Sequence, residues 1–158
     1  MGVLDTIQTM DNSEKIMLDP IGVAQNKEKK HFGNWKGVKT ALVIDEEYKE
    51  ALFGLEGYSH LVVIYWMHEM KTCDLRHVPQ GKVGAAPEVG IFACRCPQRP
   101  NPIGISTVKI VSIKDNIVTV KGLDVIDKTP ILDIKPYTPQ YDTASGAKVP
   151  DWVNKLEY

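Results

Sequence analysis

Apolar positions recur along this chain mostly in the rhythm of strands. From Ser59 to Met67 the run is almost wholly apolar, rich in β-branched and aromatic side chains, which suits a strand buried in a sheet. Residues 38–45 read the same way over a shorter span. Residues 103–113 and 116–126 read as two further strands, and Lys114-Asp115-Asn116 between them signals a hairpin. A segment at 16–24 broken by Pro20, a run at 88–96 and a short one at 131–136 complete the predicted strands. Helical spacing is confined to two places. Residues 45–57 predict a helix capped by Asp45, with Tyr48, Leu52 and Leu55 on one face and Gly57 as its stop. Val3, Leu4, Ile7 and Met10 predict a short docking helix near the start.

Polar stretches separate these elements. Residues 25–37 are basic and glycine-bearing, with Lys27, Lys29, Lys30, His31 and Lys36, and predict a surface loop. Residues 68–87 form a long loop punctuated by Pro79, Gly81, Gly84 and Pro87; loops of that length in a compact domain are functional or disordered. Many short strands, few helices and frequent turns predict a mainly β fold, a single β-barrel domain over residues 16–140. An N-terminal extension (1–15) and a C-terminal tail (141–158), with Trp152 and Leu156 as anchors, flank it.

Composition narrows the classes. A chain of 158 residues with 43% hydrophobic and 25% charged positions is ordinary for one globular domain. The formal net charge of -1 excludes a global basic field, so any nucleic acid must be held by local patches. No apolar run approaches the roughly 20 residues of a membrane span, and no secretory leader is legible. Three cysteines without a leader point to reduced thiols and a cytoplasmic protein.

Candidate chemistry concentrates in Cys94-Arg-Cys-Pro-Gln-Arg-Pro-Asn-Pro-Ile-Gly104. Three prolines exclude helix and predict a stiff, extended loop. Arg95 and Arg99 would then share one side, roughly 13 Å apart. Their planar donor forks suit a carboxylate or a phosphate. Gly104 permits close backbone approach. Cys94 and Cys96 with Cys73, His68 or His77 raise the question of zinc, but no matching second pair follows, and no metal is expected. His68 and Glu69 stand where the buried strand ends, a place that holds a side chain rigidly against a pocket. Asp124, Asp127 and Asp133 cluster in sequence, either as turn chemistry at Asp127 or as carboxylates for a cationic or hydroxyl-bearing ligand, and Asp133 and Lys135 share a strand face on which they could pair. There is no dinucleotide fingerprint and no phosphate-binding P-loop.

Three blocks, Gly54–Glu69, Gly90–Ser106 and Gly122–Tyr137, resemble in order and spacing the signature blocks of the TsaA-like (TrmO, YaeB) family of S-adenosylmethionine-dependent tRNA methyltransferases. The resemblance implies a homodimeric β-barrel without a Rossmann sheet, and N-methylation of threonylcarbamoyladenosine at position 37 of tRNA. Transfer to another small-molecule or protein acceptor, or cofactor binding without catalysis, are the alternatives. It implies a cofactor pocket built from His68, Glu69, Arg95, Ile105, Asp124, Val125, Ile126 and Asp127. Arg99, Asn101 and Pro102 look like the frame that sets Arg95, with Arg99 also able to reach the ligand or the second subunit. Cys96 stands where the family usually has serine, and Asn34-Trp35-Lys36 roughly where it carries Pro-Arg-Gln. With the chain ending at Tyr158, the C-terminal domain of the bacterial enzymes is not expected.

Overall fold

The structure, a computed structural model, describes residues 15–29 and 34–156. The predicted docking helix near the start, and Lys30 and His31 of the basic loop, lie outside those residues. Six strands close into an antiparallel barrel: β1 (Gly22–Gln25), β2 (Lys39–Ile44), β3 (His60–Trp66), β6 (Ile103–Lys114), β7 (Ile117–Lys121) and β8 (Pro130–Pro136), in the order β1-β2-β7-β6-β3-β8. Two short strands outside it, β4 (Arg76–His77) and β5 (Val89–Gly90), pair within the long loop region. One helical turn, α1 (Pro139–Asp142), follows the barrel.

Alternation on each strand sorts the side chains. On β3, Leu61, Val63 and Tyr65 are buried while the residues between them are half-exposed. Leu42, Ile44, Val108, Val118, Val120 and Ile131 join them inside. An interior of this size is filled by side chains, so the barrel wall is a packed core and carries no channel. The β6–β7 hairpin turns at Asp115, whose φ of 53 lies in the left-handed region that a short polar side chain tolerates. Asn116 ties this turn to β2 by donating from its side chain to the Ile44 carbonyl at 2.6 Å.

Three expectations change. Residues 46–52 and 55–57 form two 3-10 turns, not an α-helix. Among them only Leu52 is buried, too little apolar surface to hold a longer helix against the barrel. The expected strand at 88–96 shrinks to Val89–Gly90 and then turns through Ile91–Ala93. The second hairpin strand ends at Lys121, since Gly122 at φ 90 turns the chain out of the sheet. Residues 122–129 then cross one end of the barrel, and Leu123 and Val125 plug it from their buried positions. At that end the last residues of β1, β3 and β7 meet the first residues of β2, β6 and β8.

Candidate functional site

The plugged end of the barrel gathers most of the candidate chemistry. Tyr65 is opposite Gly104 in the β3–β6 register. A Cβ on Gly104 would sit 2.1 Å from the Tyr65 ring, so only glycine leaves room for the phenol to lie across β6. The Tyr65 hydroxyl is 3.2 Å from the Ser106 hydroxyl. Its pKa is raised mainly by burial; the Ser106 bond opposes this, Asp124 adds to it and Arg95 opposes it. Both Arg95 and Asp124 thus lie within electrostatic reach of one phenol at the barrel mouth, though 29 positions separate them in the chain. Arg95 is exposed and makes no ion pair among the described residues.

The proline-rich loop is not the extended rod its sequence suggests. The amide of Arg99 donates to the Pro97 carbonyl at 2.7 Å, and that of Ile103 to Asn101 at 2.7 Å, so the chain folds back. Arg99 then donates through Nη1 to the carbonyls of Cys94 (2.9 Å) and Cys96 (3.1 Å), the residues on either side of Arg95. Arg99 is therefore a brace for Arg95, its guanidinium turned onto the backbone of its own loop. Cys96 is buried, and its thiol is pushed up to about 11, first by desolvation and then by Cys94. Among the described residues no group of three metal-ligating side chains is present, Cys94 and Cys96 included.

His68 follows the end of β3, where the Met67 amide donates to the Pro102 carbonyl at 2.8 Å and fixes the exit of the strand. Its Nδ1 is buried without a hydrogen-bond partner, and so is Oε1 of Gln98 in the proline-rich loop. Buried polar atoms left unpaired are costly and mark places where a ligand or water completes the structure. Glu69 is exposed. Ile105 lies between the inward Gly104 and Ser106 and so faces outward, 51% exposed, away from the Tyr65 cluster.

The segment 124–127 splits by role. Asp124 is exposed at the mouth, Val125 belongs to the core, and Ile126 is half-buried. Asp127 accepts the Asn26 amide at 3.0 Å, and its own amide donates to Glu28 at 2.7 Å. Asn26, which sequence reading left in a surface loop, stitches this segment down: its side-chain amide donates to the Val125 carbonyl (2.9 Å) and the Thr40 hydroxyl (3.2 Å). Tyr65 and Asn26 are the residues that sequence reading missed. The polar Asn26 just past β1 was the one available signal; Tyr65 is recognisable only from its register against Gly104. Asp133 and Lys135 do pair, at 2.6 Å, on the outer face and away from this cluster. Trp35 is buried as an anchor of its turn, and Lys36 beside it is exposed.

Residues 29–143 match the family described as tRNA-methyltransferase O N-terminal domain. The chain belongs to the TrmO N-terminal domain family. A probable S-adenosyl-L-methionine-binding protein of Pyrococcus abyssi is 38% identical over 76% of this chain and 63% of its own length. A human tRNA (adenine(37)-N6)-methyltransferase is 34% identical over 65% of this chain and 23% of its own. The crystal structure of TrmO from Pseudomonas aeruginosa superposes with a TM-score of 0.70 at 27% identity, over 85% of this chain and 62% of that one. The chain thus spans less than two thirds of each of these relatives. The mainly β, closed barrel is the TrmO fold, and the β1 strand that completes it lies ahead of the matched residues.

Proposed function

We propose that this TrmO-family chain is an S-adenosylmethionine-dependent methyltransferase acting on tRNA, and that its acceptor is N6 of threonylcarbamoyladenosine at position 37. One observation carries the reading: Arg95 and Asp124, of opposite charge, converge at a barrel mouth whose bordering loops hold the orphaned polar atoms of His68 and Gln98. A zwitterionic amino-acid moiety with a purine nucleoside is complementary to that set. The relatives' names, S-adenosyl-L-methionine-binding protein and tRNA (adenine(37)-N6)-methyltransferase, support the same cofactor and acceptor.

When bound, the cofactor supplies an electrophilic methyl group on a sulfonium. In this reading Arg95 holds the α-carboxylate through its planar fork. Asp124 and Glu69 take the α-amino group and the ribose hydroxyls. Residues 125–127 wall the pocket, and Asp127 reaches the ligand only with the oxygen that Asn26 leaves unused. Methyl transfer is an in-line displacement, so holding the acceptor nitrogen in line with the methyl supplies much of the rate. An amide-like nitrogen must shed a proton, and His68 is assigned to take it, directly or through a water.

The chain is further proposed to act in the cytoplasm as a homodimer. Its three free cysteines support the first, and among the described residues no helix is long and apolar enough to cross a membrane. An apolar outer surface supports the second: Ile103 and Ile105 are 38% and 51% exposed, and Trp66, Ile103 and Leu132 line one groove. Incubation with methyl-labelled cofactor and tRNA lacking the position-37 methyl tests the function. Label in adenosine 37 is expected. Label in another fraction of a cell extract would replace the acceptor, and tight cofactor binding without any transfer would make the chain a binding module.

A further inference from the structure

Three lysines and a histidine stand in one row across four neighbouring strands. Lys39 on β2 is opposite Lys121 on β7, Lys121 is opposite Lys109 on β6, and Lys109 is opposite His60 on β3. Residues in register share a face, and the three lysines are exposed while Thr40, Val108 and Val120 beside them are buried, so the row lies on the outer wall. At the usual strand spacing it spans roughly 14 Å. Like charges directly opposite one another destabilise a sheet. Among the described residues none of the three lysines makes an ion pair, although Glu28 lines the same groove as Lys39. Their same-face neighbours Gly37, Ala41, Thr107, Val111 and Thr119 are uncharged. Against a net charge of -1 for the chain, this is a local concentration of positive charge with no partner of its own.

The row reaches the candidate site at one end. Lys121 is the last residue of β7, directly ahead of the segment that carries Asp124. Lys109 lies on the same outer face of β6 as Ile105, roughly 13 Å along the strand. At the far end the His60 ring meets Tyr137 edge-on, with centroids 6.4 Å apart. A narrow line of cations ending in aromatic rings is how a protein tracks a nucleic-acid strand. It is one residue wide, whereas an anionic membrane is held by broad clusters of four to eight basic residues.

We propose that Lys39, Lys121, Lys109 and His60 form a rail for the phosphodiester backbone of an RNA whose target base is presented at the barrel mouth. The identity of that RNA as tRNA rests on the reading above. The rail itself is tested separately, with the full chain carrying Lys39→Gln, Lys109→Gln and Lys121→Gln together. Binding of an unmodified tRNA transcript is followed by fluorescence anisotropy between about 50 and 200 mM salt. Each lost phosphate contact flattens the slope of log affinity against log salt by roughly 0.7 to 0.9, so the triple variant should be shallower by about 2 to 3. Its cofactor affinity should stay within twofold, and its melting temperature should hold or rise as the lysines stop repelling. An unchanged slope, no tRNA binding by the unaltered protein, or loss only of binding to anionic phospholipid vesicles each overturns the rail. If the slope flattens but no methyl label enters tRNA, the rail stands and the acceptor assignment falls. If label enters tRNA but the slope is unchanged, the acceptor assignment stands without the rail.

Discussion

Tyr65 and Gly104 show how one missing side chain builds the mouth of the barrel. The phenol occupies the volume a Cβ on Gly104 would need, at 2.1 Å. Gly104→Ala must expel the ring or bend β6, and overpacking of this kind costs typically 1 to 3 kcal/mol. A lower denaturant midpoint, with weaker cofactor binding, is expected; an alanine variant as stable as the parent would mean the ring swings aside freely. Arg95 carries a different burden. It is exposed and braced rather than packed, so Arg95→Ala should leave the melting temperature nearly unchanged. Losing a charge-assisted bond of about 1.5 to 3 kcal/mol should weaken cofactor binding about 10- to 150-fold by calorimetry. Unchanged affinity would remove Arg95 from the pocket.

At the scale of elements, the loop from Cys94 to Pro102 is held by a side chain rather than by its own backbone ladder. Arg99 binds the carbonyls on both sides of Arg95, so the prolines restrict the loop while Arg99 chooses its shape. Arg99→Met keeps the bulk of the side chain and deletes both bonds. Faster hydrogen exchange across residues 94–101 is expected, together with a several-fold loss of cofactor affinity although Arg99 is assigned no contact with the cofactor. Exchange as slow as in the parent would show that the prolines suffice. The segment 122–129 is fixed by the opposite means, a set of bonds from Asn26, Asp127 and Glu28 between β1 and the crossing chain. Sequence reading placed the proline-rich loop but ran the second hairpin strand on through residue 126, and it took proline for straightness and a stitching asparagine for a solvated one. Both partners of Arg99 and one of those of Asn26 are backbone carbonyls, and carbonyls leave no mark in a sequence.

For the whole molecule, burial sets a limit at alkaline pH. The Cys96 thiol rises from the ordinary 9.0 to about 11 in the folded chain. Below pH 9 the thiol is protonated in both states and the contribution is fully present. Between 9 and 11 the unfolded chain releases its proton first, so stability falls as pH rises through that window. The raised pKa of Tyr65 acts in the same direction. Denaturant midpoints should drop across this range, and Cys96→Ala should lessen the drop; an equal drop in both proteins would assign it elsewhere. Assembly is the other whole-molecule property. Ile103→Glu places a charge in the apolar outer groove, and the mass by light scattering should move from dimer to monomer; a monomeric parent would remove the dimer altogether. The sequence by itself determined the barrel class, the family and most of the barrel strands, because alternation, proline and a few side-chain types are local properties of the chain. Tertiary structure alone decided that Tyr65 lies on Gly104, that Arg95 and Asp124 come within electrostatic reach of one phenol, that Ile105 points outward, and that three scattered lysines form a line. Each of these depends on strand register, and register is fixed only when the barrel closes and every strand must bury one face at once.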